Sequence, residues 1–597
     1  MHSSISDNRL IIGLDYGTTF TGVSFCESSN FDGHGEHMEI IHDWPSKNNT
    51  IGTREKVPSE VTYQDEGIVW GALIDPDVPR HMWNKLQLDD RKIGEAAKCF
   101  QEASKSPKNS GKRPIDIIAD YLGQIKAHLI QNLNKKYGKT LWRTLPITLV
   151  VTVPAVWSDL AKARTLEAVD KAGFNSLEFP QSIKTIITTE PESAAIYTIK
   201  SLRGTSQDTQ FAVGDGFIVC DMGGGTVDLI SYRISGLQPT VIEEATVGGG
   251  AECGGSFVDR AFLEWLEKRL GSTDFFKIAG CRAEEVPLTS LNKKAARMLQ
   301  AFRLGAKGGF SGTETNFLQL PHPLSAIDDE GRGMSDGDIK ITPDDMKAMF
   351  DKPVRLTYKL ITEQLKQVRK SKKVTIKSIF LVGGFSESPY MFKKIQEFAE
   401  DLDLEVFKPA FAWSAVARGA ATKGLEDGTK DNGLVTKRKC RRHYGTCVAQ
   451  IFDPSIHNEA ESYISSYDGK KRADDQMNWT FKKGQDLPTS GAAHGKLTLH
   501  QNFWLNEKRE MSLELMAANC AKAPQRSTHK VLEPLFTVAK LKVDLNGVPK
   551  DNFERCQSHT GLPYHRLTFD IQISVQSSLE YSAVVDGKKY GTVRAQY

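Results

Sequence analysis

One short motif, present twice, constrains this chain more than any other feature. From Phe217 to Ile234 the sequence reads FIVCDMGGGTVDLISYRI: an apolar strand, a tight turn and a second strand. Asp221 ends the first strand, Gly223, Gly224 and Gly225 fill the turn, and Thr226 and Asp228 open the second strand. Glycines let a ligand reach main-chain N–H groups with no Cβ in the way. A nest of such groups attracts anions, phosphate above all. Two aspartates around that nest would repel a bare phosphate, so the pattern asks for a cation between them, best served by Mg²⁺ held through oxygens and water. A glycine-rich hairpin with solvated acids is the blander reading. Near the N-terminus, LIIGLDYGTTFTGVSF repeats the device with Asp15, Gly17, Thr18 and Thr19. Two opposed hairpins, one in each of two lobes, would clamp a nucleotide's phosphates and metal from both sides.

Composition narrows the class. A chain of 597 residues is long enough for several domains at about 100–200 residues each. With 39% hydrophobic and 25% charged residues it resembles an ordinary globular protein. The net charge of +3 is too small to argue for a nucleic-acid partner. No apolar run approaches the roughly 18 residues of a membrane span, so no membrane association is expected. MHSSISDNRL lacks the apolar core of a signal peptide. The nine cysteines are odd in number and form no CxxC pair, which favours reduced thiols and a cytoplasmic setting. Cys220 and Cys253 flank motif segments, where they read as small buried hydrophobes.

Along the chain, Val57 to Ile74 reads as short strands around a turn, and HMWNKLQLDD places Lys85 in a helix or loop. The lysine-rich stretch from Arg91 to Arg113 reads as a surface insertion. Ile115 to Leu133 carries apolar residues at helical spacing. TLVVTVPAVW is a buried strand, and Ser158 caps a helix through about Ala172, stopped by Gly173. Lys184 to Ile199 reads as a strand, a Glu190–Pro191 turn and a helix. A helix is expected from about Ser256, helical character over 290–310, and a polar loop over about 311–340. Ile376 to Phe398 is a strand, a turn at Gly383 and Gly384, and a helix; Ala415 to Leu425 is a helix of small residues. The basic run Lys437, Arg438, Lys439, Arg441 and Arg442 reads two ways, as an interdomain linker or as a nuclear signal. Beyond about 444, strand-like alternation and turns at Asn546–Gly547 and Asp586–Gly587 indicate a β-rich domain. The expected division is 1–430, a linker over 431–443, and 444–597.

Five segments occur in a known order: IIGLDYGTTF, VVTVPAVWSDLAKAR, TTEPESAAIY, CDMGGGTVD and FLVGGFSESP. Over roughly residues 10–425 the chain thereby resembles the heat-shock protein 70 chaperones of the actin-like ATPase superfamily, closest in texture to the divergent members of fungi and animals. The resemblance implies an α/β fold: a two-lobed ATPase domain with ATP or ADP and Mg²⁺ in its cleft, then a smaller β-rich domain without a helical lid. It implies that Asp15, Asp221 and Asp228 surround the metal. Gly17, Thr18 and Thr19 would hold phosphate from one lobe, with Phe20 beside them in the nucleotide site, and Gly223, Gly224, Gly225 and Thr226 from the other. Lys85 resembles the family's catalytic lysine and Glu190 its acid near the attacking water, with Asp221 and Thr226 completing the catalytic set. Gly254 and Gly255 would face phosphates and ribose; Lys307, Gly383, Gly384 and Phe385 would face the adenosine.

The departures bear on activity. Phe20 stands where the family usually has tyrosine, FRLGAKGGF lacks a clear counterpart of the adenosine-binding acid, and the linker lacks the family's leucine-rich docking stretch. Three activities are compatible with these residues. A slowly hydrolysing chaperone-like switch, acting on unfolded or extended peptide clients with co-chaperones, is the leading expectation. A nucleotide-binding scaffold with little turnover is the alternative, and a small-molecule kinase the third.

Overall fold

The computed structural model describes residues 8–30, 38–47, 54–89, 111–202, 211–237, 240–371, 374–427, 433–489, 493–527, 535–575 and 579–594. The polar insertion expected over 91–113 lies almost wholly outside them. The chain divides into two units, Met1–Val435 and Thr436–Tyr597.

The first unit contains the same sheet built twice. Strand β1 (Leu10–Tyr16) pairs antiparallel with β2 (Phe20–Glu27), which carries β3 (Glu39–Ile40) and the short β4 (Val57–Pro58). On its other side β1 pairs in parallel with β5 (Ile147–Val153), which pairs in parallel with β6 (Ser182–Thr189). The second sheet repeats this order. Strand β7 (Asp215–Met222) pairs antiparallel with β8 (Val227–Leu237), flanked by β9 (Thr240–Glu244) and β10 (Gly249–Ala251). Beyond β7 lie β11 (Thr375–Val382) and β12 (Glu405–Phe407), both parallel. The duplicated motif therefore occupies the same corner of two like sheets. The central strands β1 and β5 are buried along their whole length, as expected of strands covered on both faces.

Helices cover the sheets and place the loops. Helix α1 (Pro114–Leu141) opens with Pro114 at its first position, where the missing N–H costs nothing. Helix α2 (Asp159–Lys171) begins at Ser158, whose Oγ accepts from the Ala161 N–H, as its sequence signature requires. Helix α3 (Glu190–Leu202) starts at Glu190 itself, so the expected Glu190–Pro191 turn is instead the first turn of a helix. Helices α4 (Gly255–Leu270) and α5 (Lys293–Ala301) follow the second sheet's hairpin. After α5 the chain widens into a π-helical turn over Phe302–Lys307. The stretch 311–340, expected as loop, holds a three-stranded sheet of Asn316–Gln319, Asp338–Ile341 and Met334–Ser335. Its apolar residues Leu318, Met334, Ile339 and Ile341 are buried, and short strands separated by polar turns hid them.

The second unit is two sheets around one core. The first runs Ser462–Ile464, Lys471–Phe481, His443–Ile451, Glu510–Ala518, Phe536–Asp544. The second runs Ala493–Trp504, Pro563–Val575, Leu579–Val585, Lys588–Arg594, with Phe553–Gln557 also on Pro563–Val575. Leu515, Leu541, Leu567, Ile571 and Tyr581 meet in the core between them. Asp586 and Gly587 both have positive φ, the two-residue hairpin geometry that Asp-Gly favours. Among the described residues its only helical pieces are the three-residue turns Glu459–Glu461 and Lys550–Asn552. Within the basic stretch read as linker or nuclear signal, Lys437–Lys439 form a strand that pairs with Asp486–Pro488.

Candidate nucleotide-binding site

The two motif hairpins meet tip to tip. A Cβ at Gly224 would stand 2.3 Å from Thr19 Oγ1, and one at Gly225 would stand 3.1 Å from Thr18 Cγ2. Each turn is tight: the Gly17 N–H donates to the Phe20 carbonyl at 3.1 Å, and the Gly223 N–H to the Thr226 carbonyl at 2.8 Å. The N-terminus of α4 is joined to the second hairpin by the Gly254, Gly255 and Ser256 N–H groups, which donate to the carbonyls of Gly225, Gly223 and Gly224. A Cβ at Gly254 would come within 2.6 Å of three of those backbone atoms, so glycine is required there. Gly383, at φ 86°, turns β11 past Asp221, where any Cβ would stand 2.4 Å from Asp221 Oδ1.

These elements enclose a cavity of about 540 Å³, within the size range of small-molecule sites. Asp15, Gly17, Thr18, Thr19, Phe20, Glu190, Asp221, Gly223, Gly224, Gly225, Thr226, Gly255, Lys307, Gly383, Gly384 and Phe385 all line it. Lys85, Asp228 and Gly254 do not line it but touch residues that do: Lys85 pairs with Glu190, Asp228 is opposite Asp221, and the Gly254 N–H donates to the Gly225 carbonyl. The structure thus gathers into one place residues drawn from most of the first unit.

The acids lie in two opposed positions. Asp15 is directly opposite Gly22 across β1 and β2, and Asp228 is opposite both Asp221 and Gly250 across its two neighbours. Directly opposed residues of an antiparallel pair share a face, so Asp221 and Asp228 stand side by side. Burial raises both carboxyls, and the neighbouring Glu190 raises them further: Asp221 is pushed up to about 8 and Asp228 to about 7. Burial likewise drives Glu190 above its ordinary value, against the pull of the Lys85 ammonium. Asp15 differs: burial would raise it, but Lys56 and Lys85 outweigh that and hold it below the usual range.

Two lysines answer these acids. Lys85, on a 3₁₀ turn (Asn84–Leu88), is buried in an ion pair with Glu190 and lies over the rings of Tyr16 and Trp157. Lys56, which the sequence reading passed over, places Nζ 2.6 Å from Asp15 Oδ2. Thr152 Oγ1 donates to the other Asp15 oxygen at 2.8 Å. Among the described residues no three ligating side chains converge on a point that would hold a metal alone. Mg²⁺ fits that arrangement, because it keeps waters and is usually held by one or two carboxylates plus substrate phosphate. Asp221 and Asp228 suit that role. Both oxygens of Asp15 are already engaged, which sets it apart from the other two expected ligands.

The far end of the cavity is built from the π-helical turn. Lys307 Nζ donates to the Gly255 carbonyl at 2.6 Å and to Asp259 Oδ1 at 2.7 Å, and Arg303 Nε donates to Asp259 Oδ2 at 2.8 Å. Burial would raise Asp259, but Arg303 and Lys307 hold it below its ordinary value. An acid at this end of the cavity is thus supplied by α4 rather than by FRLGAKGGF. Its signal was present in sequence, since Asp259 interrupts the apolar stripe of Val258, Phe262, Leu263 and Leu266. Trp413, also unanticipated, stands edge-on to Phe20 at 5.6 Å and packs on Gly384.

The model of the Hsp70 protein family matches residues 11–433. The chain belongs to the Hsp70 family and carries its nucleotide-binding ATPase domain. Among curated proteins it is 24% identical over 536 residues to human heat shock 70 kDa protein 12A, covering 76% of this chain and 75% of that protein. Human heat shock 70 kDa protein 12B is 24% identical over 529 residues, covering 75% and 72%. A chaperone protein HscA homolog of Acinetobacter baumannii is 25% identical over 281 residues, covering 45% of this chain and 39% of that one. No helix among the described residues is long and apolar enough to cross a membrane.

Proposed function

We propose that the first unit binds ATP between its two hairpins and hydrolyses it slowly, and that the nucleotide state modulates a peptide-binding second unit. The observation that carries this reading is the tip-to-tip meeting of the Gly17–Thr19 and Gly223–Thr226 turns over a buried pair of adjacent acids, Asp221 and Asp228. Main-chain N–H groups of both turns and the hydroxyls of Thr18, Thr19 and Thr226 would cradle the phosphates. Asp221 and Asp228 would hold Mg²⁺, which when bound neutralises phosphate charge.

In this reading catalysis is positioning and charge stabilisation, with no covalent step. Asp221, within reach of both Gly383 and the phosphate turn, would orient the attacking water and receive its proton. Glu190, committed to Lys85, would fix the lysine beside the phosphates. Asp259, Arg303, Lys307, Phe385 and Trp413 would form the nucleoside end. Hydrolysis would be communicated by a change in closure around the cleft, a common form of nucleotide switch. A cytoplasmic setting follows from the reduced-thiol reading.

One observation favours a scaffold with little turnover: Asp15 and Glu190, two of the four acids, are each bound to a lysine. Phosphate release without an added acceptor separates the two readings. Binding itself is tested by thermal shift. Saturation at about 100 times Kd should stabilise the folded chain by roughly 2.7 kcal/mol. Mg-ATP is expected to raise the melting temperature more than Mg-GTP does; no movement with either would overturn the reading.

A further inference from the structure

Lys56 has no part in the function proposed above, yet the fold makes room for it. Its aliphatic stem crosses β2 at Gly22, the residue directly opposite Asp15. A Cβ at position 22 would stand 3.1 Å from Lys56 Cγ and 3.3 Å from Cε, so the strand omits a side chain where the stem passes. The head group reaches Asp15 Oδ2 at 2.6 Å and lies at the cavity wall with only 8% of the side chain exposed. Three acids act on its ammonium: Asp15 on β1 most strongly, then Asp221 on β7 and Glu190 at the start of α3. Lys85 approaches the same cluster, paired with Glu190 as Lys56 is with Asp15. A buried ammonium is costly unless it is paired. Here it is held at the phosphate end of the cleft, where an external cation is otherwise needed.

We propose that Lys56 is a resident counter-ion for bound phosphates, so that the cleft holds a nucleoside diphosphate with little dependence on a divalent cation. The proposal rests on the nucleotide reading of the cleft. Its physical basis is that a fixed ammonium beside Asp15 already supplies one of the charges a phosphate chain requires. It needs no coordination shell and is retained when metal is removed. Lys56 is thus a positioning and specificity residue, which sets what accompanies the nucleotide.

The test is ADP affinity of the full chain by calorimetry, in excess Mg²⁺ and in excess chelator. The wild type should lose less than about tenfold in affinity on chelation. Lys56→Met should lose at least about tenfold more than that in chelator, the size of one charged hydrogen bond, and much less in Mg²⁺. Lys56→Arg should restore part of the chelator-resistant binding. Gly22→Val, which crowds the stem without touching its charge, should shift the ratio in the same direction as Lys56→Met. If Lys56→Met does not fold, the double variant Lys56→Met with Asp15→Asn removes both partners of the buried pair and is measured in its place. A wild type that binds ADP in Mg²⁺ but not in chelator overturns the proposal while leaving the nucleotide reading intact. So does an unchanged affinity ratio in Lys56→Met. A wild type that binds ADP in neither condition overturns the nucleotide reading itself.

Discussion

Asp221 and Lys85 illustrate why two charged residues near one site are expected to fail differently when removed. Asp221 lines the cavity, beside Asp228 and under Gly383. Asp221→Asn keeps the shape and removes the charge, so single-turnover phosphate release should fall by about 10²–10³ with little change in melting. Lys85→Ala should also slow release, but it strands Glu190 as a buried acid, a loss typically worth about 3–5 kcal/mol. The two variants are therefore compared for rate and melting together. Hydrolysis by Lys85→Ala at the wild-type rate would show that the lysine has only a structural part. At this scale the sequence reveals residues embedded in turns with a glycine rhythm, because the phosphate chemistry dictates both. It does not reveal Lys56, whose partner lies on a different strand and whose only trace is the absent side chain at Gly22. Trp413 and Arg303 are hidden for the same reason: their roles come from what the fold brings beside them.

Among the elements, helix α6 (Ala415–Glu426) carries the sharpest steric demand in the first unit. It packs on β1, β2 and β5 and crosses α3, which lies against β7, so this crossing ties one sheet to the other. At the crossing a Cβ on Gly419 would stand 1.8 Å from the Ser193 carbonyl oxygen. Overpacking of a tight core contact costs about 1–3 kcal/mol, occasionally more. Gly419→Ala should therefore destabilise the chain by at least that much, read as a lowered denaturant midpoint at unchanged m-value. Gly123→Ala makes the contrast, because its Cβ inside α1 would meet nothing closer than the Ala172 carbonyl at 3.9 Å. That substitution should stabilise by about 0.5–1 kcal/mol, since glycine is the poorer helix former. Equal effects of the two would refute the packing argument. Helices and long strands were legible because their periodicity and caps are local: α2 and β5 begin and end close to where their residues dictate, while α1 begins on cue but runs eight residues past the expected Leu133 to Leu141. The three-stranded sheet within 311–340 was not, since strands of two to four residues carry too little alternation to register.

For the molecule as a whole, the open question is whether nucleotide in the first unit is felt by a partner on the second. The second unit presents a two-sheet core with no helix longer than three residues among its described residues. A strand-edge binding mode draws its affinity from main-chain hydrogen bonds, and among the described residues no helix of more than three residues is present to slow the departure of a peptide added that way. Affinity differences among related complexes lie mostly in the off-rate, so peptide dissociation from this chain should be fast. Coupling, where it exists, is reciprocal: a peptide that prefers the ATP state must raise ATP affinity by the same factor. Titrating fluorescent hydrophobic peptides against the full chain in ATP and in ADP measures both. Saturable binding is expected, with off-rates that differ between the nucleotides and a matching shift in nucleotide affinity when peptide saturates. Bound lifetimes of many minutes would contradict the fast-release argument, and identical constants in both nucleotides would reduce the chain to a nucleotide-binding scaffold.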